Sequence, residues 1–135
     1  MLLLFIIISF QFSQLQDQKI AKGFVFEDLN GNNKKEKKEK GISGVAVSNG
    51  IDVVLTTSKG EYQIPVDKDH ILFVIKPGNY DVPVNQYNQP HFFYNHKPGG
   101  SPLLKYPGLK PTGKLPVSVD FPLIARQEAD EFSIL

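Results

Sequence analysis

Phe26-Glu27-Asp28-Leu29-Asn30-Gly31-Asn32-Asn33, continuing as Lys34-Lys35-Glu36-Lys37-Lys38-Glu39-Lys40-Gly41, is the stretch that decides the fold. An apolar, strand-like run leads into it, Gly23-Phe24-Val25-Phe26, and another leads out, Val45-Ala46-Val47. Asp28, Asn30, Asn32 and Glu39 fall at positions one, three, five and twelve of a twelve-residue calcium-loop template. Glu36 fills position nine, and Lys34 at position seven would coordinate through its carbonyl. The sixth position is glycine in the template. Here it is Asn33, a residue that tolerates the left-handed conformation better than most. Lysines at 22, 34, 35, 37, 38 and 40 reduce the attraction for a cation, and the competing reading is an Asx-rich turn with a solvated, charged face. In either case an oxygen-rich loop joins two strands, not two helices, which points to a β-sandwich module of the extracellular kind.

The rest of the composition agrees. The 135 residues amount to one domain, with ten prolines, eleven glycines, no tryptophan and no long helical periodicity. The formal net charge of +1 supplies no strong field toward nucleic acid or an anionic membrane. The absence of cysteine removes disulfides, thiolate metal sites, cysteine nucleophiles and a thioether lipid anchor together. Residues 1–12 are almost wholly apolar but fall short of the roughly 20 needed to span a bilayer. A secretory signal peptide over residues 1–16 is expected, with export to the periplasm, cell surface or medium and no stable membrane span after cleavage. Residues 17–125 would form the sandwich, and 126–135 a linker into the apolar run Phe132-Ser133-Ile134-Leu135.

Strand candidates recur at short spacing over 22–26, 44–48, 53–57, 61–66, 70–76, 92–95 and 117–123. Asn49-Gly50 predicts a tight hairpin, and Ser58-Lys59-Gly60 is expected to close the next one. The predicted core is Phe24, Phe26, Val45, Val47, Val53, Leu55, Tyr62, Ile64, Leu72, Val74, Val119, Phe121 and Leu123. From 77 to 116 the chain turns rich in proline, glycine and aromatics, a length of loop that is uncommon unless functional or tied down.

Other candidate sites carry less. His91 and His96 are five residues apart, which on a strand places them on opposite faces and argues against a shared metal. His70 reads as a strand-boundary residue. Tyr80, Tyr87, Phe92, Phe93, Tyr94 and Tyr106 would serve packing more often than a glycan surface. Gly99-Gly100-Ser101 and Gly113-Lys114 lack the following helix that a phosphate loop needs. No Ser/His/Asp constellation stands out.

The segment 23–123 resembles the N-terminal domain of secreted calcineurin-like metallophosphoesterases of the Bacteroidetes type. The resemblance rests on Gly-Phe-Val-Phe-Glu-Asp-Leu-Asn-Gly-Asn at 23–32, Gly-Ile-Ser-Gly-Val-Ala-Val-Ser-Asn-Gly at 41–50 and Phe-Val-Ile-Lys-Pro at 73–77. It continues in His91-Phe92-Phe93-Tyr94, His96-Lys97-Pro98, Gly100-Ser101-Pro102 and Pro111-Thr112-Gly113-Lys114-Leu115-Pro116, then Ser118-Val119-Asp120-Phe121-Pro122-Leu123. It implies an immunoglobulin-like or prealbumin-like all-β sandwich that precedes a catalytic domain and is not itself catalytic. Two divalent metals would belong to that catalytic domain, whose Asp, Asn and His motifs match no position here. The implied partner is the catalytic domain in cis, with no nucleic acid. The rival readings are a calcium-stiffened surface or adhesin-type module and a carbohydrate-binding domain.

Overall fold

A computed structural model describes residues 19–67, 70–100 and 110–127. They form eight strands: β1 (Lys19–Glu27), β2 (Ala46–Ser48), β3 (Val53–Leu55), β4 (Glu61–Val66), β5 (His70–Ile75), β6 (Tyr80–Asp81), β7 (Phe93–His96) and β8 (Phe121–Ala125). Among the described residues there is no helix. Two four-stranded sheets, in the orders β4-β1-β8-β6 and β3-β2-β5-β7, pack as a sandwich, the expected all-β architecture. The expected signal segment lies outside the described residues, as does nearly all of the expected linker.

β1 organises the first sheet by changing partners along its length. Over Lys19–Phe24 it runs antiparallel to β4, and over Val25–Glu27 it runs parallel to β8. At the changeover the chain before β8 crosses closely. The Val119 N–H donates to the Lys22 carbonyl at 2.9 Å, and the Phe24 N–H donates to the Asp120 carboxylate at 2.9 Å. A Cβ on Gly23 would collide with the Val119 carbonyl, so only glycine admits this approach.

The inward faces of both sheets meet in one cluster that includes Val25, Val45, Val47, Ile64, Leu72, Val74, Phe121 and Leu123. Tyr62 joins it, its ring 6.0 Å from that of Phe121. Its phenol donates to the Val119 carbonyl at 2.6 Å. Burial, with the nearby Asp120 charge second, pushes the phenol well above the usual tyrosine range.

Several expectations need correction. Alternation along β1 turns Ala21, Gly23 and Val25 inward and Phe24 and Phe26 outward. Phe26 is fully buried all the same, but outside the inter-sheet cluster. The loop that follows β1 covers that outer face: Phe26 bridges Gly41, and Lys35 Nζ lies 5.3 Å from the Phe24 ring centroid. Val53 and Leu55, expected in the core, are 59% and 65% exposed. They flank Val54, which packs inward, on an edge strand with one face turned to solvent. The strand expected over 117–123 forms later, at Phe121–Ala125, and Val117 is 93% exposed on the crossing arm.

The hairpin expected at Asn49-Gly50 forms, β2 pairing antiparallel with β3 across the four-residue connection 49–52. The Asn49 side-chain carbonyl accepts the N–H groups of Ile51 (2.9 Å) and Asp52 (2.7 Å), and its amide donates to Pro65 in the opposite sheet at 2.7 Å. That long-range bond ties the hairpin turn to the opposite sheet. Ser58-Lys59-Gly60 joins no hairpin, because β3 and β4 belong to different sheets. The short β6 was not expected; it holds the sheet edge beside β8.

Candidate functional site

The oxygen-rich loop leaves β1 at Asp28 and returns at Gly41. Backbone bonds fasten both arms: Asp28 N–H donates to the Leu123 carbonyl (2.8 Å), Glu27 N–H to Lys40 (3.0 Å) and Ile42 N–H to Val25 (2.8 Å). Asp28, Asn30, Asn32, Lys34, Glu36 and Glu39 all lie in the loop held between these two arms.

Its two buried carboxylates, Asp28 and Glu39, are 5% and 3% exposed. Asp28 accepts the N–H groups of Asn30 (3.3 Å), Gly31 (2.8 Å) and Asn33 (2.8 Å). Glu39 accepts those of Leu29 (3.1 Å) and Glu36 (2.9 Å). Buried charges are tolerated when hydrogen-bonded in this way. Glu36, at the surface, receives the Asn30 amide at 3.1 Å and the Asn32 amide at 2.6 Å. The Asn32 side-chain carbonyl accepts the Lys34 N–H at 2.9 Å. Lys35 turns back, donating to the Glu39 carbonyl at 3.0 Å. Asn33, at the template's sixth position, has φ +60°, the left-handed conformation expected there.

The loop is thus internally satisfied, and its acids act first as acceptors for its own backbone. Among the described residues no three His, Cys, Asp or Glu side chains form a metal-holding group. A calcium ion would need additional lone pairs of the same carboxylates together with amide and main-chain oxygens of the loop. Removing the Asp28 carboxylate strands three N–H groups. Asp28→Ala should therefore destabilise the domain by about 2 kcal/mol, read as a lowered urea midpoint.

The other candidates separate. His96 is buried on the inner face of β7, stacked on Tyr94 at 6.4 Å, whereas His91 is exposed beyond the strand. They share no site. His70 opens β5, its Nδ1 accepting the Asp67 N–H at 3.0 Å. Near Gly99-Gly100, Lys97 and Thr112 exchange two bonds, Lys97 N–H to Thr112 Oγ1 (2.7 Å) and Thr112 N–H to the Lys97 carbonyl (2.9 Å). Ser101 and Tyr106 lie outside the described residues.

A pocket of about 430 Å³ that no sequence motif marks lies between this loop and the segment before β7. Asn33 lines one side, with Pro83, Val84, Pro90, His91 and Phe93 among its other walls. Its signal in the sequence was the density of proline and aromatics over 83–93, which marks packing and a surface equally well.

The family model described as the N terminal of Calcineurin-like phosphoesterase matches residues 28–104, more than half of the chain. No curated protein matches it.

Proposed function

The chain belongs to the family of calcineurin-like phosphoesterase N-terminal domains, and from that premise we propose that it is a non-catalytic accessory domain that positions or supports a phosphoesterase catalytic domain in the same polypeptide. The family match carries this reading. The site chemistry is in keeping with it, because the acids of the oxygen-rich loop are engaged as backbone acceptors. The partner domain would hydrolyse phosphate esters with two divalent metals that clamp the attacking and leaving oxygens. Export belongs to the same proposal, supported by the apolar residues 1–12.

The purified 135-residue chain is expected to show no phosphatase turnover with manganese, iron or zinc. Metal-dependent hydrolysis by this chain would overturn the assignment. Reading the genomic frame past codon 135 tests the other half: Asp, Asn and His motifs in frame support it, and a stop codon removes the partner in cis.

A second role falls to the Asp28 loop, which we read as a calcium-stiffened element. The left-handed Asn33 at position six and the template spacing of Asp28, Asn30, Asn32, Lys34, Glu36 and Glu39 support it. Calcium should raise the melting temperature of the wild-type chain and leave that of Asp28→Ala unmoved. Equal shifts in both, or none in either, would end the calcium reading.

A further inference from the structure

The pocket between the oxygen-rich loop and the segment before β7 has fixed walls. From Pro83 to His91 the chain folds back on itself. Val84 bridges Pro90, the His91 N–H donates to the Pro83 carbonyl at 2.7 Å, and the Asn85 N–H donates to the Gln89 carbonyl at 2.9 Å. The Asn85 side-chain carbonyl also accepts the N–H groups of Tyr87 (2.9 Å) and Gln89 (3.0 Å). Phe92 is tied to β5, its carbonyl accepting the Val74 N–H at 3.0 Å, and its ring meets that of Phe93 edge-on at 5.2 Å. On the loop side, the Asn33 N–H is held by the buried Asp28 carboxylate at 2.8 Å. Asn33 and Asn88, one on each side, are the non-glycine residues with positive φ among the described residues, and uncommon backbone of this kind gathers at ligand sites. A cavity with walls formed in advance is the usual shape of a small-molecule site, and about 430 Å³ falls in the usual range of roughly 300–1,000 Å³.

The lining states what kind of ligand would enter. No Asp, Glu, Lys or Arg lines the pocket, so a charged ligand would find no counter-charge there. The polar side chains that do line it are Asn33, Asn85, Gln89 and His91. The Asn85 amide donates to Gln89 Oε1 at 2.9 Å, which leaves the Gln89 Nε2 able to donate elsewhere. The Asn33 amide and the His91 ring make no hydrogen bond to a described residue. In the neighbouring loop, by contrast, the Asn30 and Asn32 amides are both bonded to Glu36. An amide both donates and accepts, as does the hydroxyl it would face. Phe93 is 40% exposed and offers an apolar ring beside these groups. A sugar ring matches both features, with hydroxyls around its rim and a face of C–H bonds for the aromatic ring. Proline-rich peptides are taken instead by grooves lined with several open aromatic rings. Here Phe92 is half-buried and packs against the core, which leaves Phe93 as the open one.

We propose that this pocket binds one ring of a neutral glycan, stacked on Phe93 and hydrogen-bonded by Asn33, Gln89 and His91. The domain then carries a ligand of its own, a property that goes beyond the accessory role and does not depend on it.

The test titrates the full chain with cellohexaose, mannohexaose and chitohexaose, following backbone amides by NMR. At least one of them should shift the amides of Asn33, Gln89, His91 and Phe93 in a saturable way. Phe93→Leu, which keeps an apolar side chain but removes the ring, should weaken that binding by about tenfold. Gln89→Ala and His91→Ala, both at exposed positions, should each weaken it by about threefold or more. Val53→Ser, outside the pocket, should leave it within about twofold. Thermal melts confirm that each variant is folded, and the two exposed positions keep the test decisive if Phe93→Leu is not. No saturable shift with any of the three glycans, or shifts confined to other residues, would overturn the pocket as a glycan site. Tighter binding of an oligogalacturonide would overturn the neutral assignment. Decaproline shifting the same amides where no glycan does would give the pocket to a peptide and overturn the proposal.

Discussion

Replacing Gly60 by valine is expected to destabilise the domain by about 2–5 kcal/mol, a large part of the stability of a typical small domain. Gly60 holds φ +78°, which costs an L-residue about 1–2 kcal/mol. Space is equally restrictive. A Cβ there would lie 2.5 Å from the Gly41 Cα, 2.5 Å from the Val25 carbonyl oxygen and 2.7 Å from the Ile42 nitrogen. All three are backbone atoms and cannot rotate away, and overpacking of this kind adds about 1–3 kcal/mol. These strands of backbone are also bonded to one another, since Val25 N–H donates to Gly60 and Ile42 N–H donates to Val25. A shift that relieved the clash would break the clamp on the returning arm of the oxygen-rich loop. Urea denaturation checks it, with Gly78→Ala as control. Gly78 has open space around it and no positive φ, so that variant should stay within about 0.5 kcal/mol of wild type. A Gly60→Val midpoint equal to wild type would mean that the close approach does not form.

Phe26→Ala is expected to cost about 3–5 kcal/mol, the range for truncating a buried phenylalanine. Phe26 is fully buried although it faces away from the inter-sheet cluster. The loop that covers it is held by buried Asp28 and Glu39, so the cavity would open directly beneath that loop. Stability and the order of residues 28–41 should therefore fall together, the second read as faster amide exchange at Gly31 and Asn33, whose N–H groups Asp28 accepts. Phe26→Leu, which leaves less empty volume, should cost less. If Phe26→Ala lost stability without faster exchange at those amides, the loop would be standing without its apolar floor.

The contrast with β3 shows where sequence reasoning stops. Val53-Val54-Leu55 is an unbroken apolar run, which elsewhere signals a strand buried on both faces. Nothing local to it reports that β3 ends up at a sheet edge with one face open, since that depends on β2 and β5 pairing beside it. For a related reason Phe24 lies outside the core and Phe26, although fully buried, faces away from the other sheet. Period-two alternation gives two faces but not which one meets the other sheet. The Asn49-Gly50 hairpin is legible in its dipeptide, whereas the bond from Asn49 to Pro65, sixteen residues away, is not.

By itself, the sequence determined the all-β class, most strand positions, the inward residues of β2, β4 and β5, and the membership and left-handed sixth position of the oxygen-rich loop. Each of these depends on side-chain alternation, turn chemistry or Asx hydrogen bonding, forces that act within a few residues. Only the tertiary structure decided that β1 divides its pairing between β4 and β8, that Gly23 and Gly60 sit where backbones touch, and that Val53, Leu55 and Ile75 face outward. Those outcomes follow from which strands become neighbours, a choice made by the packing of two whole sheets against one core.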